Sequence, residues 1–330
     1  MRFISVVAPA RVCLAAAVVM GVTSPPSEAR AEASTLAPEV GYNYGDIETP
    51  RNTAMNGALR AYGNALDALF INPAGMPVSR VYHLGAVAQV WPEASRQSYG
   101  GGIVDSIVSS TRVAGGFGGT WTQQDPDGID RTATDLRFAL AYPFSDQFFV
   151  GAGLRYLWLK QNGYGPLGPS AASGGLEDEN IVRGISFDAG VTVRPADYFA
   201  LALVGNNLNN PGNGLQPTLL GGGLGVGTED FTVEGDALAD FTTWGRTTAR
   251  LMGGFELLAG DHFPLRIGYR YDEGADSHSV SGGLGYVDRA FAAELGLRRV
   301  VSGDAATTVV IGFTYHLEST QLTPTPVDGF

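Results

Sequence analysis

The sequence predicts an all-β membrane protein, a 14-stranded antiparallel outer-membrane β-barrel with a short N-terminal helical plug. Three observations carry this expectation. Apolar residues alternate with polar or small ones over stretches of about ten residues. The connections between those stretches alternate in length, and no run of 18 or more apolar residues follows residue 33. Composition narrows the function classes as well. The 330 residues carry a formal charge of −12, one Cys and only 16% charged side chains. Such acidity opposes nucleic-acid binding, because no basic excess displaces counterions from phosphates. One thiol makes neither a disulfide framework nor a Cys-rich metal site.

Residues 1–31 read as a cleaved signal peptide. Arg2 and Arg11 precede the apolar stretch from Val12 to Val22, and small-residue triplets at Ala29-Arg30-Ala31 and Ala31-Glu32-Ala33 follow. Eleven apolar residues are too few to cross a hydrocarbon core of about 30 Å. Cys13 lies inside this leader without a lipobox before it, so lipid attachment is not expected.

Residues 32–80 form the N-terminal extension and plug. Leu59, Tyr62, Leu66, Leu69 and Phe70 fall at helical spacing, which predicts one helix or two short ones broken at Gly63 and ended before Pro73. Asn72 followed by Pro73 offers a side-chain cap and then a residue that needs no N–H.

Residues 81–317 are the barrel. Phe148, Val150, Ala152, Leu154, Tyr156 and Trp158 share one face, opposite Gly151, Gly153, Arg155 and Gln161. Similar alternation recurs around Phe138, Ile267 and Ile311. Strands are expected to start near Tyr82, Gln97, Arg112, Ala133, Gln147, Val182, Tyr198, Pro217, Phe231, Thr248, Phe263, Ser277, Ala290 and Thr307. Every second turn carries an Asp, often beside an aromatic, as at Asp146, Asp197, Asp230, Asp261 and Asp288. The intervening connections are longer, so both chain ends belong on the short-turn side. Runs such as Gly100-Gly101-Gly102 and Gly221-Gly222-Gly223 mark bends or close approach of another backbone.

Residues 318–330 are expected to be a periplasmic tail, since Pro324 and Pro326 oppose a strand. Gly312, Tyr315 and Leu317 match the Gly-x-x-aromatic-x-hydrophobic signal read by the barrel-assembly machinery, which is therefore an expected partner beside outer-membrane lipid.

The plug segment resembles a known family. Gly57 to Asn64 and Ala68 to Met76, with Gly57, Ala58, Asn72, Pro73 and Ala74 as the motif, resemble the N-terminal segment of FadL-type outer-membrane proteins. That resemblance implies a plugged 14-stranded barrel passing long-chain fatty acids or aromatic hydrocarbons through a gap at a kinked third strand. Gly115, Gly116, Gly118 and Gly119 in the third strand are the candidate lateral opening. Smaller relatives of the PorV and PorQ type share the motif and assist protein secretion or surface attachment, so the partner is a hydrophobic small molecule or a secreted protein. A channel should have an apolar pocket between plug and wall, and a secretion partner a filled barrel.

Alternation places Arg137, Arg155, Asp188, Glu234, Asp236, Arg250, Glu256, Arg266, Arg270, Glu294 and Arg298 inside. Two roles are open for them: a salt-bridged lumen that holds the plug, or reception of a ligand carboxylate by Arg155 or Arg250. No catalytic residue, metal site or cofactor is expected, because His83, His262, His278 and His316 are dispersed in sequence and match no ligand motif.

Overall fold

The structure, a computed structural model, describes residues 47–109, 111–125, 130–162, 179–211, 215–244 and 246–318. The expected leader 1–31, the segment 32–46, the body of the loop between Asn162 and Asn180, and the expected tail after residue 318 lie outside the described residues. Fourteen antiparallel strands close into a barrel in sequence order. They are β1 Val81–Trp91, β2 Arg96–Asp105, β3 Ala114–Gln124, β4 Asp130–Pro143, β5 Phe148–Asn162, β6 Glu179–Ala196 and β7 Phe199–Asn206. The second half comprises β8 Leu219–Gly227, β9 Phe231–Asp240, β10 Thr248–Ala259, β11 Phe263–Asp272, β12 Ser277–Val287, β13 Phe291–Ser302 and β14 Thr307–Glu318. Closure runs through β1 and β14, from Val81 opposite Glu318 to Val90 opposite Val309.

Side chains obey the period of two. Phe117, Trp121, Phe138, Leu140, Leu154, Phe187 and Ile267 are exposed on the outside and form the lipid-facing band. Arg137, Arg155, Asp188, Glu234, Asp236, Arg250, Arg266, Arg270 and Arg298 are buried inside. This sidedness follows from energetics, since a charge facing lipid at the midplane costs about 2–4 kcal/mol.

The expected alternation of connections breaks at the start of the barrel. The turn Pro92–Ala94 between β1 and β2 is short although it lies at the long-loop end, and the connection 106–113 at the opposite end is longer. That longer segment is tied to the chain entering β1. Ser106 Oγ accepts from the Val81 amide at 2.9 Å and donates to the Ser79 carbonyl at 2.7 Å, while Arg80 donates to the Ile107 carbonyl.

Inside the barrel the plug consists of α1 Pro50–Ala54, α2 Ala65–Ile71 and a 3-10 turn Pro73–Gly75. Thr49 caps α1 by accepting from the Asn52 amide, and Asn72 caps the 3-10 turn by accepting from the Ala74 amide at 3.2 Å. Leu59, Leu66, Leu69, Phe70, Ile71 and Met76 pack with Val104, Ala114, Ala139 and Ala141 of β2, β3 and β4. The interruption between the helices is longer than a break at Gly63. From Met55 to Asn64 the chain turns, with Asn56 and Gly57 at φ 55° and 91°. The cause lies in the wall, which offers the amides of this stretch carboxylate acceptors in place of helical carbonyls.

Candidate functional site: the plug and its seat

Two carboxylates on β9 receive the inter-helical turn. Asp236 Oδ2 accepts from the amides of Leu59 at 3.0 Å and Arg60 at 3.1 Å, and pairs with the Arg60 guanidinium at 3.0 Å. Glu234 accepts from the amides of Ala61 at 2.5 Å and Tyr62 at 3.0 Å. Residues 234 and 236 point the same way because they are two apart on a strand. Four successive plug amides thus end on two adjacent carboxyl side chains, one of which, Asp236, also holds the Arg60 guanidinium in an ion pair.

Further anchors surround this latch. Arg51 of α1 reaches Glu256 of β10 with Nε at 2.9 Å and Nη2 at 2.8 Å, a bidentate pair. Arg266 bridges Glu256 and Glu294, carrying the network to β11 and β13. Glu48 accepts from Arg298 of β13 and from Thr53. Asn56 donates to the Ser279 carbonyl at 3.0 Å on β12.

The motif residues meet at one point of the wall. Asn72 is 1% exposed, and its Nδ2 donates to the Arg60 carbonyl at 2.8 Å and to Thr192 Oγ1 of β6 at 3.0 Å. It therefore joins the inter-helical turn, the 3-10 turn and the wall. Pro73 and Ala74 lie over Gly151 of β5, which pairs with Gly190 of β6 beside the Asn72 side chain. A Cβ at Gly151 would stand 2.5 Å from the Pro73 carbonyl carbon and 2.9 Å from Ala74 Cα. Gly57 makes the left-handed turn, and Ala58 is buried against Val204, Leu219, Leu238 and Met252. We expect Asn72→Ala to weaken plug seating by about 2–3 kcal/mol, through loss of three hydrogen bonds at a buried amide. Protease cleavage between residues 56 and 64, with unchanged heat-modifiable mobility of the barrel, is the readout. A plug as resistant as wild type would remove Asn72 from the seat.

The glycines of the third strand serve the same purpose on their inner face. Gly85, Gly102 and Gly118 pair across β1, β2 and β3. A Cβ at Gly102 would lie 2.7 Å from Leu66 Cδ1, and one at Gly118 would lie 3.1 Å from Leu69 Cδ2. Gly116 likewise faces Leu69 and Met76. These glycines let α2 lie directly on the wall. Gly115 and Gly119 face outward. β3 is paired along its length with both β2 and β4, and its register does not shift.

Over the same glycines lies an apolar groove of about 470 Å³ on the lipid side, bordered by Leu84, Ile103, Phe117, Trp121 and Leu136. Gly101 and Gly119 pair on its floor, and Gly102 and Gly118 form the inner surface beside them. At this place bare backbone separates the groove from Leu66 and Leu69 of the plug.

Arg155 and Arg250 both border a lumen cavity of about 70 Å³ between plug and wall. Arg155 Nη2 is 2.8 Å from Asp135, and Arg250 is 3.3 Å from both Asp240 and Asp272. Arg137 ties the same region to the plug by donating to the Phe70 carbonyl at 3.0 Å. Both candidate ligand arginines are thus held by wall carboxylates. The cavity is too small for a six-membered aromatic ring, which fits a void of about 150 Å³. Towards the short turns the lumen widens into a vestibule of about 730 Å³ reached by Arg51, Tyr62, Arg194 and Glu294.

Sequence reasoning missed two features. The latch carboxylates were placed inside the barrel but not matched to the plug, because which plug amides meet which strand depends on tertiary docking. The histidines are less scattered than their numbering: His83 stands opposite His316 across the β1–β14 seam, with ring centroids 6.2 Å apart. Among the described residues no group of three or more His, Cys, Asp or Glu could hold a metal ion.

No protein-family model matches the sequence, and no curated protein is similar to it in sequence. Solved structures share its fold. The CymD monoaromatic hydrocarbon channel superposes with a TM-score of 0.61 at 16% identity, covering 82% of this chain and 97% of that one. The toluene transporter TbuX of Ralstonia pickettii gives 0.58 at 14% identity, covering 83% and 99%. A FadL homologue of Pseudomonas aeruginosa gives 0.53 at 13%, covering 82% and 98%. The likeness extends over the whole length of each of these barrels, and at such identities it is a likeness of fold.

Proposed function

We propose that the chain is a Gram-negative outer-membrane channel for passive uptake of hydrophobic small molecules, monoaromatic hydrocarbons or long-chain fatty acids, leaving sideways through the wall at β2 and β3. The observation that carries this reading is the bare-backbone wall between the lipid-side groove and α2. Glycine on both faces removes the side-chain packing that would otherwise resist parting of the two strands. An apolar groove outside gives an emerging solute an environment of its own polarity. The hydrocarbon channel and the toluene transporter among the neighbours in fold support the solute class. Among the described residues, the apolar pocket expected of a channel between plug and wall is not found, and a cavity of about 70 Å³ there is lined by arginines and Asp188. A plug that must shift before passage fills the lumen too, so the wall is what favours the channel.

In this reading the described state is closed, and passage requires α2 to shift and β2 to part from β3. A reversible staple tests this. Ile103 and Phe117 stand opposite each other on the outer face, within the Cα spacing a disulfide spans. The chain's one native cysteine, Cys13, lies in the expected leader, far in sequence from both positions. With I103C/F117C oxidised in cells, hydrocarbon entry should fall about tenfold and recover on reduction. Undiminished entry through the oxidised barrel would exclude exit at this place.

A further inference from the structure

A cluster of basic and aromatic side chains on the outer surface is not used by the plug or the lumen. Trp158 and Lys160 of β5 face outward, because Leu157 and Leu159 between and beside them are fully buried inside. Arg183 of β6 stands opposite Trp158 and is exposed. The Lys160 ammonium lies 4.8 Å from the centroid of the Trp158 ring, and the Arg183 guanidinium carbon lies 5.9 Å from it. Arg183 Nε also donates to the Tyr156 hydroxyl at 3.2 Å. Two cations are thus held on one indole, facing away from the lumen.

The height of the cluster in the membrane follows from strand geometry. Tyr142, Phe144 and Phe148 contact one another at the short-turn end and mark that interface. Trp158 is ten residues further along the same strand as Phe148. At about 3.4 Å per residue and a tilt of about 40°, ten residues rise about 25 Å, the height of the apolar band of an outer-membrane barrel. The cluster therefore sits at the opposite interface, at the level of the outer-leaflet headgroups.

Other exposed arginines toward the long-loop end are neutralised. Arg299 pairs with Glu93, and Arg246 pairs with Glu273 at 2.6 Å. Burial works against ionisation of Glu93, but hydrogen bonds from Thr307 and Arg299 hold its carboxyl below the usual range. Arg183 differs. Among the described residues its partners are the Tyr156 hydroxyl and the Trp158 ring, and no ion pair to a carboxylate is formed there. In a chain of net charge −12, an exposed Arg183 without an ion pair among the described residues, held on an outward-facing indole, suits an anionic lipid.

We propose that Tyr156, Trp158, Lys160 and Arg183 form a binding site for a phosphorylated glycolipid headgroup of the outer leaflet, of the lipid A class. Arg183 presents a fork that matches phosphate oxygens, Lys160 adds a point charge, and Trp158 holds both cations in place while its ring meets the upper acyl chains. The inference rests on the outer-membrane reading but not on which solute the barrel passes.

The test uses the full-length protein in phosphatidylcholine vesicles with and without lipid A, following binding and thermal unfolding. Each cation near an anionic surface contributes about fivefold in affinity, so K160Q/R183Q should bind lipid A about twenty-fivefold more weakly. R299Q, which removes a neutralised arginine, should bind as wild type does. Lipid A stripped of its phosphates should not raise the unfolding temperature of the unaltered protein, and inorganic phosphate should not either. Equal binding of the dephosphorylated lipid, or full affinity in K160Q/R183Q, would overturn the proposal. Stabilisation by inorganic phosphate would make this a free-anion site and overturn the lipid assignment. Hydrocarbon entry measured alongside reports on the channel separately, because neither residue touches the plug.

Discussion

Replacing Glu234 and Asp236 together by Ala is expected to release the plug while leaving the barrel closed. Four backbone amides lose their acceptors, and the Arg60 guanidinium loses its carboxylate. Hydrogen bonds contribute about 0.5–1.5 kcal/mol each and those to a charged group about 1.5–3 kcal/mol, so the seat should weaken by roughly 5 kcal/mol. Their side chains point inward from β9, and the ladder they join runs through backbone groups that the substitutions leave in place, so the fourteen strands should still assemble. Cells carrying E234A/D236A should admit small polar dyes that wild type excludes, and proteolysis should cut between Met55 and Asn64. The isosteric E234Q/D236N keeps acceptor oxygens without charge and should fall between the two. If the double Ala variant stays impermeable and uncut, the latch is not what holds the plug.

Gly151→Ala should produce the second largest effect, from a single methyl group. The added carbon would press on the Pro73 and Ala74 backbone at 2.5 and 2.9 Å, and backbone cannot rotate away as a side chain can. Overpacking of this kind costs about 1–3 kcal/mol, here borne by the 3-10 turn that Asn72 caps. Gly153, two residues along on the same face, is the control. A Cβ there would meet its nearest neighbours at 3.5 to 3.7 Å, ordinary contact. G151A should raise plug proteolysis strongly and G153A hardly at all. Equal behaviour of the two would mean that the plug does not rest on the Gly151–Gly190 pair.

Much of this architecture is legible in the sequence, because a membrane barrel imposes its period on every strand. Phe231, Thr248, Phe263, Ser277 and Thr307 begin strands both in the pattern and in the structure, and the other starts agree within three residues. The inward charges were legible for the same reason, since Arg137 and Arg155 sit among apolar residues of opposite parity. The plug was less so. Leu59 and Tyr62 continue the helical spacing of Leu66, Leu69 and Phe70, yet they lie in the turn, because the acceptors that replace the helical carbonyls come from residues more than 170 positions away. The abundance of glycine could be read as a mechanical need. Its specific use, paired glycines under α2 and under Pro73-Ala74, appears only once β-strand register and plug are placed together.

The central claim is that a plugged barrel admits hydrophobic solutes and not water-borne ones. Its most direct test is the initial rate of entry of an uncharged monoaromatic hydrocarbon into cells with an intact lipopolysaccharide leaflet, with and without the chain, and of a disaccharide in the same cells. The account predicts several-fold faster hydrocarbon entry with the chain and no change for the disaccharide. Unchanged hydrocarbon entry, or disaccharide entry rising in parallel, would contradict it.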